Sequence, residues 1–214
     1  MPVESIKRKR LRMAEILSIL KLEYPDSKCS LDYNSPFQLL VATVLSAQCT
    51  DERVNKVVIP LFDKYPTPED FTQLTVAEIG KEIYSTGFYN NKAKSIKGLS
   101  HSLVDEYDGE VPGTMNELVN LTGVGRKTAN VVLGNIFDVP GVVVDTHVTR
   151  ITNLLNFTKS KNAVVIEREL EKIIDKTDWT LFTHLIIDHG RAICVANRPN
   201  CSECSIAKFC PSST

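Results

Sequence analysis

At 214 residues, 43% hydrophobic and 24% charged, the chain can bury a substantial core as one domain or two small ones. No apolar run approaches a bilayer span, and the chain enters KRKRLR without an apolar signal core, which reads as a soluble intracellular protein. A formal net charge of −1 excludes a globally basic nucleic-acid binder, so positive charge has to act locally. Lys7, Arg8, Lys9, Arg10 and Arg12 form one basic cluster, which reads mostly as a solvated helix face; Arg126, Lys127, Arg150, Arg191 and Arg198 lie beside the motifs below.

Met13, Ile16, Leu17 and Leu20 recur at i, i+3, i+4 and i+7, predicting an amphipathic first helix that ends before Tyr24 and Pro25. Ser35 and Pro36 open a second helix as N-cap and first helical residue, with Leu39, Leu40, Val44 and Leu45 on its buried side. It stops at SAQCTD, a polar break that exposes Gln48 and lets Thr50 or Asp51 cap a third helix carrying Val54, Val57, Val58 and Leu61. Pro66 and Pro68 then break the chain before a short apolar segment around Ile79 and Ile83. In STGFYNNKAKSI, Gly87 ends one helix, Asn90 or Asn91 caps the next, and Phe88 sits on the loop between. Thr114 and Glu117 read as a capping box.

The stretch LTGVGRKTANVVLG, residues 121–134, reads as a glycine hairpin opening into a helix. Gly123 and Gly125 permit a sharp turn and close approach, so the amides at the helix start can face a phosphate. Lys127 falls in the first turn, where the positive helix end disfavours a second positive charge and favours a neutral, nucleophilic amine. A P-loop is excluded, because it needs glycine where Arg126 and Leu121 stand; a dinucleotide fingerprint fails because the segment before the hairpin is helical. A plain turn between two core helices is the competing reading.

Gly134 is expected to stop that helix, and Pro140 with Gly141 marks a boundary. Val142, Val143 and Val144 fit a buried extended connector better than a strand, since three residues have no partner. Asp145 caps a helix carrying Val148, Ile151 and Leu155; its plain role is that cap alone. Ile166, Leu170, Ile173 and Ile174 define another helix, and Leu181, Phe182, Leu185 and Ile186 one more, giving an all-α protein.

Cys194, Cys201, Cys204 and Cys210 are spaced C-x6-C-x2-C-x5-C, which argues for a shared metal centre over disulfides. Spacing alone leaves zinc and iron–sulfur open. The metal would staple the loop at 195–200, from which Arg198 can meet a phosphate. Cys29 and Cys49 read as inert buried thiols.

Taken together, LSAQCTD, GFYNNKA, EVPGTMNELVNLTGVGRKTANVVLG, VDTHVTRI, DHGR and the four-cysteine tail resemble, in the same order, the endonuclease III family of helix-hairpin-helix DNA glycosylases and AP lyases. The resemblance spans nearly the whole chain. It implies two helical subdomains with a DNA-binding cleft between them: a six-helix block at 29–139 carrying the hairpin, and a discontinuous iron–sulfur domain at 1–28 and 140–214. It further implies a [4Fe–4S] cluster on the four cysteines, Lys127 as the catalytic lysine and Asp145 as the catalytic aspartate.

Gln48 resembles the residue that fills the space left by a flipped nucleotide, and Phe88 stands where the family commonly has a leucine wedge. Gly123, Gly125, Arg126 and Arg198 complete the expected DNA contacts. The implied function is base excision repair: removal of oxidised pyrimidines from double-stranded DNA, with strand cleavage at abasic sites, by a monomeric, nucleoid-associated cytoplasmic protein of bacterial or archaeal type. Two alternatives are a monofunctional adenine or mismatch glycosylase, which generally lacks a lysine at 127, and a non-enzymatic DNA-binding module with structural zinc.

Overall fold

A computed structural model describes residues 4–213, whose regular elements are all helices, with no strand among them. None of these helices is long and apolar enough to cross a membrane. Contacts divide the chain into two compact units, Met1–Cys29 with Pro140–Thr214, and Ser30–Val139.

The discontinuous unit contains α1 (Ile6–Glu23), whose Met13, Ile16, Leu17 and Leu20 are buried as the periodicity requires. The other unit follows, with α2 (Pro36–Leu45), α3 (Asp51–Lys64), α4 (Pro68–Gln73), α5 (Val76–Glu82), α6 (Tyr89–Tyr107), α7 (Met115–Asn120) and α8 (Arg126–Ile136). The chain then returns to the first unit with α9 (Thr146–Leu154), α10 (Ala163–Leu170) and α11 (Trp179–Ala192).

In the Ser30–Val139 unit, α2 is the central rod. Nine of its ten residues, Phe37 to Leu45, are buried, and it packs on α3, α6 and α8. A helix apolar all round belongs inside a core. Ser35 caps it through its side chain and Pro36 holds the first position. This unit has seven α-helices where six were expected, because the proline-broken run forms both α4 and α5. Each begins with a true capping box, Thr67 with Asp70 and Thr75 with Glu78.

Several expected boundaries move. Glu117 supplies only half a capping box: its N–H donates to Thr114 Oγ1, but its carboxylate accepts from the same hydroxyl at 2.5 Å, not from the Thr114 amide. Asn90 and Asn91 lie inside α6, and Phe88 itself holds the N-cap position in left-handed backbone. Gly134 does not stop α8. The left-handed residue is Asp138, after which the Val139 N–H bonds back to the Leu133 carbonyl. α10 ends at Leu170, and the buried Ile173 and Ile174 follow in a turn bonded to the Leu170 carbonyl. Cys29 and Cys49 are half-buried, not enclosed.

The basic N-terminal cluster is also more than a solvated face. Lys9 Nζ donates to the Phe157 carbonyl and Arg10 Nε to that of Lys172. Arg12 donates to the carbonyls of Leu155 and Phe209, pairs with Glu4 and stacks over the Phe157 ring. These long side chains fasten α1 to segments over 140 residues away in sequence. Around α1 the core of this unit is completed by Val148, Ile151, Phe182, Leu185 and Ile186.

Candidate functional site

After α7 the chain turns through Leu121, Thr122, Gly123 and Val124 into Gly125, the N-cap of α8. Leu121 and Val124 are buried anchors, which leaves Thr122, Gly123 and Gly125 at the surface. The two glycines do different things. Gly123 has φ 79°, and a Cβ there would drive into Ser95 of α6. Gly125 has φ −97°, open to any residue, and a Cβ there would meet nothing within 4 Å. Gly98 of α6 likewise lets Thr122 settle, since a Cβ would fall 2.9 Å from its side chain. The hairpin therefore rests closely on α6, while its outer side at Gly125 is bare. No side chain caps α8, whose first turn carries exposed Arg126 and Lys127.

Two other loops of this unit carry the residues expected to fill and to wedge the duplex. Gln48 and Phe88 are both exposed, and both have positive φ, 53° and 50°. Left-handed backbone is unfavourable for such side chains and persists where the surroundings impose it, a pattern that concentrates at functional positions.

In the other unit, Val142, Val143 and Val144 form the buried extended connector, tied to α11 because the Val143 N–H donates to Thr183 Oγ1 at 3.1 Å. The connector delivers Asp145, half-buried, to the N-cap of α9, where Oδ1 accepts the Val148 N–H at 2.8 Å. The plain capping role is thus real. His147 packs against Gly190 of α11, where a Cβ would lie 2.6 Å from its Nδ1, and Arg150 Nη2 is 3.3 Å from the same nitrogen. That contact explains the glycine in DHGR, a packing role that the sequence pattern did not disclose.

Cys194, Cys201, Cys204 and Cys210 line one cavity of about 70 Å³, walled by Ile151, Leu154, Leu155, Ile193 and Ile206. All four are half-buried free thiols. Burial raises the thiol pKa of Cys194 and Cys204, opposed at Cys194 by Arg150, which bonds the Cys194 carbonyl and lies 3.5 Å from its Sγ. His189 Nε2 is 3.5 Å from Cys204 Sγ, and Tyr24 Oη lies 3.2 Å from the opposite ring nitrogen. The four cysteines thus share one largely apolar cavity, with Arg150 and His189 beside two of the sulfurs. Among the described residues no three His, Cys, Asp or Glu side chains are grouped to hold a single ion. Arg198 is exposed on the adjoining loop, whose turn is closed by its N–H to the Val195 carbonyl.

Residues 41–176 match the family model described as HhH-GPD superfamily base excision DNA repair protein, which sets the class. The chain is 54% identical to endonuclease III of Synechocystis sp., covering 95% of this chain and 94% of that one. It is 40% identical to endonuclease III of Escherichia coli K12, covering 95% of each. A solved non-covalent endonuclease III–DNA complex superposes with a TM-score of 0.91 at 42% identity, over 95% and 96% of the two chains. A trapped endonuclease III–DNA covalent intermediate gives 0.90 at 43%, with the same coverage. The chain belongs to the endonuclease III family. A thermostable thymine-DNA glycosylase at 24% identity and a TM-score of 0.84 shares the fold.

Proposed function

We propose that this chain is a bifunctional DNA N-glycosylase and AP lyase that removes oxidised pyrimidines from duplex DNA and cuts the strand at the resulting abasic site. The observation that carries the reading is an exposed lysine, Lys127, in the first turn of a helix that follows a glycine hairpin. A glycosylase that uses only water needs no amine there. The Lys127 Nζ lone pair attacks the sugar C1′, the C1′–N bond breaks as the damaged base leaves with its electron pair and takes up a proton, and the amine gives up a proton as the ring oxygen leaves C1′ and is protonated, which yields a Schiff base. That cation acidifies C2′–H; removal of the proton and departure of the 3′ oxygen complete β-elimination, and water returns the free lysine. Asp145 either accepts the lysine proton or stabilises positive charge on the sugar.

In this reading Gly123, Gly125 and Arg126 grip the phosphate backbone, Gln48 fills the space vacated by the extruded nucleotide, and Phe88 acts as an apolar wedge. The four cysteines hold a [4Fe–4S] cluster whose contribution is to staple the 195–200 loop so that Arg198 meets a phosphate. Support for this comes from the sulfur-lined apolar cavity. A brown protein with acid-labile sulfide is expected, and a colourless protein with stoichiometric zinc would contradict it.

The test uses a 5′-labelled duplex containing thymine glycol. The expected product is a strand ending in a 3′ unsaturated aldehyde, absent with Lys127→Gln. Free base released from an intact strand would identify a monofunctional enzyme, and binding without base release a non-enzymatic module.

A further inference from the structure

Six non-glycine residues among those described have positive φ, and four of them are Asp or Asn, which adopt left-handed backbone readily. The other two are Gln48 and Phe88. One side chain reaches both of their segments. Lys92, on the first turns of α6, is 5% exposed, and its Nζ donates to the Leu45 carbonyl and to the Thr86 carbonyl, each at 2.8 Å. Leu45 is the last residue of α2, from which the chain leaves toward Gln48; Thr86 stands two residues before Phe88.

The backbone of residue 92 adds a third bond, its N–H donating to the Phe88 carbonyl at 3.1 Å. Residue 92 thus holds the chain on both sides of Gly87. At the end of α2 the neighbouring carbonyls already have partners. The Ala42 carbonyl takes the Ser46 N–H, that of Thr43 takes the Ser46 hydroxyl, and that of Val44 takes the Ala47 N–H at 3.4 Å. Leu45 is left to the ammonium. A cation there also faces the negative end of α2. Position matters as well: a helical side chain points back toward the N-terminus, so a lysine four residues after Phe88 is aimed at the loop that carries it.

We propose that Lys92 is a positioning residue that clamps the Gln48 and Phe88 loops into one fixed pose, presenting the two side chains as a pair ready to enter an opened duplex. The clamp rests on the proposed assignment of Gln48 and Phe88 to DNA. Burial lowers the Lys92 pKa, with the neighbouring Cys49 opposing it, so the two carbonyl bonds are made against a desolvation cost that an ordinary apolar core residue would not incur. An apolar residue at 92 would leave the Leu45 and Thr86 carbonyls without the partner they have here.

The test compares cleavage of an abasic site in duplex DNA with cleavage in a single strand, where no stacked partner has to be parted. Fluorescence of 2-aminopurine opposite an uncleavable abasic analogue reports unstacking at saturating protein. For Lys92→Met, helical circular dichroism is retained, the duplex-to-single-strand ratio falls roughly tenfold or more, and the fluorescence rise is lost; Lys92→Arg recovers part of both. Should Lys92→Met fail to fold, Lys92→Arg decides, with a reduced ratio expected. Gln48→Ala and Phe88→Ala lower the same ratio. If those two leave it unchanged, the DNA assignment falls and the clamp with it. If they lower it while both Lys92 variants match wild type, or lose activity equally on both substrates, the clamp is wrong and the assignment stands.

Discussion

Replacing Gly123 with alanine separates what the hairpin's two glycines do. An alanine at φ 79° costs about 1–2 kcal/mol of backbone strain. Its Cβ would also collide with the Ser95 side chain on α6, and overpacking of this kind costs about 1–3 kcal/mol. The Ser30–Val139 unit should therefore lose roughly 2–5 kcal/mol, a large part of ordinary domain stability. Ser95→Gly in the same chain removes the collision but not the strain, at about 0.5 kcal/mol of helix propensity, so the double variant should recover only part of the loss. Gly125→Ala is the contrast: with φ −97° and no atom near its Cβ, it should cost under about 1 kcal/mol, mostly through a poorer N-cap. Its methyl would stand where a phosphate approaches, so affinity for duplex DNA should fall roughly tenfold, about 1.4 kcal/mol. Urea denaturation followed by circular dichroism and fluorescence anisotropy on an abasic-analogue duplex measure the two effects. An unchanged denaturation midpoint for Gly123→Ala, or unchanged affinity for Gly125→Ala, would refute the division of labour.

Asp145→Asn keeps an equally good N-cap, so stability should stay within about 0.5 kcal/mol while strand cleavage falls about a hundredfold or more. Near-wild-type cleavage would reduce Asp145 to its cap. Arg12→Met removes donors to the Leu155 and Phe209 carbonyls and the stack on Phe157, and should cost the discontinuous unit roughly 2–4 kcal/mol by thermal denaturation. The hydrogen bond from Arg12 holds the Glu4 carboxyl below the ordinary carboxylate range, so folding gains stability above pH 4.5 that is lost as pH falls through the lowered folded value. Arg12→Met should flatten the acid limb of the stability profile, and an unchanged limb would show that the pair contributes nothing.

The sequence revealed most where local chemistry and burial agree. The heptad-like Met13, Ile16, Leu17 and Leu20, the Ser35 and Pro36 start, and the Asp145 cap each follow from short-range geometry that tertiary packing has no reason to override. Boundaries were less legible. Gly134 looked like a stop because glycine favours helix ends, but the stop is made by Asp138, whose left-handed conformation depends on the following turn. The roles of Lys9, Arg10 and Arg12 were hidden because their acceptors are backbone carbonyls over 140 residues away, which carry no side-chain signal. Lys92 was hidden for the same reason: in GFYNNKA it reads as a polar helix residue, and only the fold brings the Leu45 carbonyl to it. Cysteine spacing pointed to four thiols acting together, and the fold does bring them to one cavity, whereas Arg150 and His189 beside two of the sulfurs required the packing of α9 and α11.

Whether Lys127 is the nucleophile is tested by borohydride trapping on duplex DNA containing an abasic site, followed by peptide mapping of the adduct. One cross-linked peptide, joined through Lys127, is expected, with no adduct in Lys127→Ala although that variant still binds the DNA. An undiminished adduct in Lys127→Ala, or a cross-link mapped to another amine, would contradict it.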